Sequence, residues 1–242
     1  MATKTVKVTN GKILNYKMSA PNYKPLESDV LIQGDTTVTR TMLPLIDPNN
    51  FYVVGDRLAD KASFVGYYIT VDPNTNIETR NAIFILDAKY RTFNVWWSGG
   101  SFVSPLIDMS DTTAQSTKIS STYLTNLAVS VIPTDNNSAP VYARAAATVQ
   151  YNGVTYQSQL PTVPALKMIV AKSQLLEKSD PTISSYADKK ITASNTFWSS
   201  CVRAYNGGQA WVVSYSGSVS NKNFYYGQGA LLTVPIFEIP IN

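Results

Sequence analysis

Cys201 is the single cysteine of the chain, and the chain has no histidine. A Ser-His-Asp triad, a Cys-His pair and a histidine-ligated metal site each need an imidazole, so these kinds of site are excluded. One cysteine also excludes an intrachain disulfide and a metal site built from several thiolates. Because no histidine can activate it, Cys201 is predicted to be a small buried residue rather than a nucleophile.

The acidic side chains are too scattered to indicate acid–base catalysis. The chain has 16 Asp and Glu residues, and no spaced pair among them is typical of the two carboxylates of a glycoside hydrolase. Asp108 and Asp111 could touch a cation, but such a pair more commonly caps a helix or a turn, and no EF-hand spacing surrounds them. A glycine-rich phosphate loop with a lysine is also missing from the sequence. We therefore expect a protein that is not an enzyme and that holds neither a metal nor a cofactor.

The remaining candidate site is a group of tyrosine, asparagine and other polar residues near the C-terminus. The chain has 15 tyrosines, whereas only 15% of its residues are charged. Tyrosine offers a large contact area at a low cost in rotamer entropy, and asparagine offers adaptable hydrogen bonds to sugars or peptides. Aromatic enrichment is typical of receptor-binding surfaces and of contacts between subunits, so both alternatives stay open. The candidate ligand- or partner-binding residues are Arg203, Tyr205, Asn206, Gln209, Tyr215, Asn221, Asn223, Tyr225 and Tyr226.

Positive charge is concentrated at the start of the chain. Residues 1–26 hold five lysines and no acid, whereas the formal net charge of the whole chain is +4. These lysines are spread out rather than clustered, so binding to nucleic acid is not expected. Either they keep an extended arm or an edge strand soluble, or the arm docks on an acidic neighbouring subunit. The candidate residues of this assembly arm are Lys4, Lys7, Lys12, Lys17 and Lys24.

The sequence pattern separates an N-terminal assembly arm with β elements, residues 1–48, from a denser domain, residues 49–242. Segments rich in β-branched and aromatic residues predict strands at 51–54, 64–71, 82–86, 92–97, 197–200, 210–215, 218–220 and 231–239. Helices are predicted at 116–128, at 142–147, and from the N-cap Thr162 to residue 176. Asn152-Gly153 predicts a tight turn. The fold class predicted for the domain is α+β.

Several short motifs in the last hundred residues occur in a fixed order. Tyr151–Tyr156 reads YNGVTY, and Leu160-Pro161-Thr162 leads into a helix. Residues 197–200 read FWSS, and residues 210–219 read AWVVSYSGSV. This order resembles the C-type lectin-like fold, in the branch of the formylglycine-generating enzymes, the Fibrobacter-type major paralogous domains and the variable proteins of diversity-generating retroelements. The resemblance implies short mixed or antiparallel sheets, two or three helices, and a C-terminal surface that displays ligand-binding residues.

The sequence departs from that family at three places. The family's terminal strand usually carries an Arg-Pro pair, whereas residues 231–236 read LLTVPI. Formylglycine-generating enzymes need two reactive cysteines, which this chain does not have. Calcium-dependent lectins carry polar ligands beside a tryptophan, whereas Val212 and Val213 follow Trp211 here. The resemblance therefore implies neither copper nor calcium chemistry, and a degenerate oxidase is the less favoured alternative.

The N-terminal residues and the hydropathy of the chain indicate where it acts. The first residues lack the apolar stretch of a signal peptide, and no apolar run has the length of a transmembrane helix. Phage proteins are made in the host cytoplasm without export signals and meet the outside only after lysis. We therefore expect a bacteriophage virion protein without membrane insertion: a head-decoration, collar or tail-associated component, such as a head fibre or adhesin.

Its expected partners are other virion proteins, further copies of itself in a homo-oligomer, and a host cell-surface glycan or protein. The alternative is a purely architectural virion subunit that has no host ligand.

Overall fold

The computed structural model describes residues 13–18, 26–31, 53–99, 101–132, 137–205, 208–225 and 231–241. The chain divides into two units, residues 1–51 and 52–242. In the first unit, strand β1 (Ile13–Met18) pairs antiparallel with strand β2 (Leu26–Leu31). Lys17 lies in β1, whereas the other predicted arm residues, Lys4, Lys7, Lys12 and Lys24, lie outside the described residues. The assignment of this segment to assembly stays a prediction.

Short strands and short helices make up the second unit. Its strands are β3 (Arg57–Leu58), β4 (Ala62–Val71), β5 (Glu78–Leu86), β6 (Thr92–Phe93), β7 (Thr148–Tyr151), β8 (Val154–Gln157), β9 (Thr196–Arg203), β10 (Gln209–Ser214), β11 (Val219–Asn223), β12 (Leu231–Thr233) and β13 (Ile236–Ile241). Its α-helices are α1 (Asp111–Ser116), α2 (Ser121–Val131), α3 (Ala139–Ala145), α4 (Val163–Ala171) and α5 (Ser173–Ser179). Single-turn 3-10 helices lie at Ala88–Tyr90 and Ala187–Lys189. The predicted α+β class is confirmed.

The strands in the described part of this unit form three sheets. A four-stranded sheet has the order β13-β5-β4-β3 and is antiparallel throughout. A five-stranded sheet has the order β11-β10-β9-β12-β6, and of its pairs only β12–β9 is parallel. Strands β7 and β8 form a hairpin whose two turn residues, Asn152 and Gly153, have φ angles of 48° and 76°. Because Asn and Gly tolerate positive φ, they suit this turn, as predicted from the sequence.

Three of the helices begin at a side-chain cap. The hydroxyl oxygens of Ser110, Ser120 and Thr162 accept hydrogen bonds from the third main-chain N–H that follows each of them. Pro164 occupies the first turn of α4, where its missing N–H costs no intrahelical bond. These caps fix the start of α1, α2 and α4, and the start of α2 contributes to a site described below.

Two buried apolar clusters pack against opposite faces of the five-stranded sheet. Alternate residues of a strand point to opposite faces. Accordingly, Trp211 and Val213 of β10 belong to the first cluster, whereas Ala210 and Val212 belong to the second. The first cluster also takes in Ile83 of the four-stranded sheet and most of the buried face of α4. Both faces of the five-stranded sheet are therefore covered. A binding site on this sheet must lie at the ends of its strands or at its edges.

Two predicted strands differ in the structure: the described part of one is a turn, and the other is shorter. Within 51–54, the described residues form a turn, because the main-chain N–H of Val53 donates to the carboxylate of Asp56 (3.0 Å). Residues 51 and 52 lie outside the described residues. Of the predicted strand 92–97, only Thr92–Phe93 pairs as a strand, with β12.

Two other predicted elements are each divided. The predicted strand 231–239 becomes β12 and β13, which join different sheets on either side of Pro235. Proline has no N–H for a sheet ladder, so it favours the break. The predicted helix from Thr162 to residue 176 is interrupted at Lys172, whose φ and ψ of −116° and 8° are not helical. The described residues therefore contain five α-helices rather than the two or three expected.

Candidate functional site

Three of the predicted site residues lie side by side on neighbouring strands. Gln209 of β10 is paired in register with Arg203 of β9 and with Asn223 of β11. Paired residues of adjacent strands project from the same face of a sheet. The three side chains therefore form one line across one end of the five-stranded sheet.

A chain of hydrogen bonds connects the amides on this line to a tyrosine. Gln209 Nε2 donates to Asn223 Oδ1 (3.1 Å), and Asn223 Nδ2 donates to the hydroxyl oxygen of Tyr225 (3.3 Å). We call Gln209, Asn223 and Tyr225 the polar row. Gln209 is only 9% exposed, and its Oε1 has no hydrogen-bond partner in the described protein. Buried amide oxygens normally accept a hydrogen bond, so the row ends in one unused acceptor.

Arg203 is held beside the polar row by two aromatic rings. Its guanidinium carbon lies 4.8 Å from the ring centre of Tyr205 and 5.9 Å from that of Trp211. Trp211 is buried, and its Nε1 donates to the main-chain oxygen of Met109 (2.9 Å). A cation over an aromatic face is attracted by the ring quadrupole. Arg203 is thus a pre-positioned positive charge between a fixed indole and an exposed phenol.

Exposed tyrosines stand at both ends of this arrangement. Tyr205 is 55% exposed and Tyr225 is 59% exposed. Most large apolar side chains of the second unit are buried, so these rings are among the few aromatic surfaces offered to a partner. The combination of exposed aromatic area with amides and a guanidinium can bind hydroxyl-rich or peptide-like ligands.

The other predicted residues do not join the polar row. Asn221 is paired with Trp211, so it lies one step inward on the same face. Tyr215 follows the opposite end of β10, where its N–H donates to the main-chain oxygen of Asn195 (3.3 Å). A six-residue strand is about 20 Å long, so Tyr215 is remote from the row. The remaining predictions, Asn206 and Tyr226, lie outside the described residues.

Sequence reasoning missed a buried carboxyl group on β13. Glu238 is 5% exposed, and its Oε2 accepts a hydrogen bond from the main-chain N–H of Thr122 (2.8 Å) in the first turn of α2. Its Oε1 has no partner in the described protein. Burial raises the pKa of Glu238 to about 7, while hydrogen bonds from Thr122 and Ser121 act in the opposite direction. An acidic residue inside the apolar stretch 236–239 is the sequence signal that could have found it.

Cys201 is confirmed as a buried thiol. Burial raises its pKa to about 12, and hydrogen bonding to Val163 and Ser199 only partly offsets this rise. The thiolate is the reactive form of cysteine. Cys201 is therefore unsuited to act as a nucleophile near neutral pH.

The acidic pair Asp108 and Asp111 has two separate structural roles. Asp108 Oδ1 accepts from the main-chain N–H of Ala204 (2.8 Å), and Asp111 Oδ1 accepts from the side chain of Gln115 (3.0 Å). Among the described residues, no group of three or more His, Cys, Asp or Glu side chains could hold a metal ion. The bond to Ala204 ties the loop before α1 to the end of β9, next to the polar row.

Comparisons with family models, with curated proteins and with solved structures find no match to this chain. In the part of the second unit and of β1–β2 that the structure describes, no helix is both long and apolar enough to span a membrane.

Proposed function

We propose that this chain is a non-enzymatic virion protein of a bacteriophage, which uses the polar row and its flanking residues to attach to a host-cell surface. The particle location rests on the polar, tyrosine-rich composition of the chain. The protein is a head-decoration, collar or tail-associated component that assembles with copies of itself and with other virion proteins.

The proposal includes a C-type lectin-like fold for residues 49–242. The segment Leu160–Thr162, which carries part of the resemblance, directly precedes α4, and Thr162 caps that helix. Trp198 and Trp211 lie on the adjacent strands β9 and β10. These placements support the assignment, and electron microscopy of the intact particle tests both the fold and the location.

The observation that carries the attachment role is the arrangement at the end of β9, β10 and β11. Gln209 and Asn223 are joined by a hydrogen bond, and Arg203 is held over Tyr205, so the polar groups are pre-oriented before a ligand arrives. Pre-orientation lowers the entropy that binding must overcome. Tyr205 and Tyr225 supply the apolar contact area on either side.

The same exposed tyrosines favour a second candidate, a subunit contact within the particle. Interfaces between subunits are also enriched in tyrosine and arginine. In that case the protein is purely architectural, and the surface binds a neighbouring virion protein instead of a host molecule. The two candidates differ in whether isolated protein binds a bacterial surface.

The test is binding of the full chain to immobilised lipopolysaccharide, wall teichoic acid and peptidoglycan, measured by surface plasmon resonance. We expect saturable binding to one of them, weakened at least about tenfold by Tyr205→Ala combined with Tyr225→Ala. Tyr186→Ala is the matched control, because Tyr186 is also exposed and also lies under a cation, Lys189 Nζ at 5.0 Å. It should bind as the unaltered protein does.

Two results overturn the attachment role. One is binding that the double variant retains in full, which places the binding surface elsewhere. The other is no binding to any of the three surfaces together with a changed sedimentation coefficient of the double variant, which favours the architectural candidate.

A further inference from the structure

The guanidinium of Arg203, beside the polar row, is held by rings but not by hydrogen bonds. It lies between Tyr205 and Trp211, at 4.8 Å and 5.9 Å from their ring centres. In the described part of the chain, Arg203 donates no hydrogen bond and joins no ion pair. No nitrogen atom of this half-buried side chain is both buried and unpaired, so its N–H groups are open to solvent. These donors are therefore available to a ligand.

The polar row adds a further hydrogen-bond donor next to Arg203. Its two hydrogen bonds run in one direction, from Gln209 to Asn223 and from Asn223 to the hydroxyl oxygen of Tyr225. Because that oxygen accepts from Asn223, the hydroxyl hydrogen of Tyr225 is left to donate to a ligand, and Tyr225 is 59% exposed. The unpartnered Oε1 of Gln209 is buried, so it is not offered to a ligand. The row and Arg203 together thus favour a ligand group that accepts hydrogen bonds.

Two acids lie next to the end of β9 and oppose an anionic ligand. Asp108 Oδ1 accepts from the main-chain N–H of Ala204 (2.8 Å), the residue after Arg203. Asp111 begins α1, and its Oδ1 accepts from the side chain of Gln115 (3.0 Å). Neither acid forms an ion pair with Arg203 in the described protein. Because Coulomb energy falls with distance, a ligand group that touches the guanidinium interacts most strongly with the positive charge.

We propose that this surface binds an acidic saccharide unit, whose carboxylate or phosphate accepts hydrogen bonds from Arg203 and whose hydroxyls meet Tyr225. The planar guanidinium matches two oxygens of either acid, whereas it repels an ammonium group. Lys222 is paired with Ala210, so it projects from the opposite face of the sheet and is not part of this site. The formal net charge of +4 adds a long-range attraction for an anionic surface. This inference rests on the attachment role proposed above, since it names the chemical class of the ligand at that site.

Arg203→Gln and Asp108→Asn are an informative pair of variants because they change the local charge in opposite directions. Arg203→Gln removes the positive charge and keeps a side chain that donates hydrogen bonds. Asp108→Asn removes a negative charge, while its amide oxygen can still accept from the N–H of Ala204. An acidic ligand should bind more weakly to the first variant and more tightly to the second. A cationic ligand should show the reverse.

The test is isothermal titration of the full chain with glucose, glucosamine, glucuronate and glucose 6-phosphate, which share one ring and differ in charge. We expect glucuronate or glucose 6-phosphate to bind at least about tenfold more tightly than glucose, and Arg203→Gln to weaken that binding at least about tenfold. The tighter of the two acids identifies the group as a carboxylate or a phosphate. Asp108→Asn should tighten the binding of that acid. Arg80→Gln is the matched control, because Arg80 also lies over a tyrosine ring, that of Tyr67 (4.2 Å), but on the four-stranded sheet; it should bind as the unaltered protein does.

Three results overturn the proposal. They are no binding of either acid, binding of glucose or glucosamine that is at least as tight as that of both acids, and binding of an acid that Arg203→Gln retains in full. If Arg203→Gln does not fold, an affinity for the acid that Asp108→Asn leaves unchanged or lowers overturns it instead. The attachment role fails separately, since it requires binding to a bacterial surface polymer. Polymer binding that Arg203→Gln leaves unchanged would remove the acidic ligand and leave the attachment role standing.

Discussion

Replacing Glu238 by glutamine should stabilise the protein in alkaline solution and leave its stability unchanged in acid. Burial raises the pKa of this carboxyl from 4.5 to about 7 in the folded protein. A group with a higher pKa in the folded chain binds its proton more tightly there than in the unfolded chain. The protonated carboxyl of Glu238 therefore makes its full contribution to the free energy of unfolding below pH 4.5. That contribution is lost as the pH rises through about 7.

The expected size of this loss follows from the two pKa values. One pKa unit corresponds to about 1.4 kcal/mol, so ionising Glu238 inside the fold costs about 3 kcal/mol once the pH exceeds 7. Hydrogen bonds from Thr122 and from the main-chain N–H of Ser121 favour the ionised form. Burial outweighs the hydrogen bonds, since the net change of the pKa is upward. Tyr68 also feels this carboxylate, whose charge adds to the rise that burial causes in the pKa of Tyr68.

The assay is urea unfolding of both proteins between pH 4 and pH 8, followed by tryptophan fluorescence. The difference in unfolding free energy between Glu238→Gln and the unaltered protein should be near zero at pH 4. It should grow to about 3 kcal/mol in favour of the variant at pH 8. Glu78→Gln is the matched control, because it removes the charge of a carboxylate whose side chain is 62% exposed rather than buried. A difference for Glu238→Gln that is the same at pH 4 and pH 8 would refute the reasoning.

Three further predictions concern other parts of the second unit. Arg91→Ala should lower the unfolding free energy by about 3–5 kcal/mol, because the buried guanidinium contacts Glu177 (2.7 Å) and Asp180 (3.5 Å). A loss below about 1 kcal/mol in urea unfolding would contradict this prediction. Cys201 should resist Ellman's reagent at pH 8 in the folded protein and react fully in guanidinium, whereas fast reaction when folded would show that the thiol is accessible. Gly153→Ala should lower the unfolding free energy by about 1–2 kcal/mol, because the φ angle of Gly153 is +76°. No atom lies within 4 Å of the added methyl group, so the cost comes from the backbone conformation and not from a clash. An unchanged midpoint in urea unfolding would disprove this prediction.

The fold could be predicted best where local chemistry decides the structure. The cap at Thr162, the turn at Asn152-Gly153 and the buried state of Cys201 each depend on residues close in sequence or on simple polarity, and the structure has all three. The interruption of the predicted helix at Lys172 was not foreseeable in this way. There the Nζ group turns inward to donate to the main-chain oxygen of Val65 (2.6 Å), which is a tertiary contact.

In the candidate sites, too, the sequence predicts the residue types, whereas tertiary contacts decide which residues come together. Residue types predicted that Arg203, Gln209 and Asn223 belong to one surface, but only the register of β9, β10 and β11 places them on one line. The hydrogen bond from Thr122 to Glu238 joins residues 116 positions apart. A lone acid in an apolar stretch indicates an unusual position, but it does not indicate which helix end will face it.

Hydrogen–deuterium exchange is the most direct test of whether the end of β9, β10 and β11 is the recognition surface. The full chain would be compared with and without whichever of lipopolysaccharide, wall teichoic acid and peptidoglycan it binds. We predict slower exchange in peptides that cover residues 203–225, and loss of that protection in the variant that combines Tyr205→Ala with Tyr225→Ala. Protection confined to other peptides, or retained in the variant, would contradict the account.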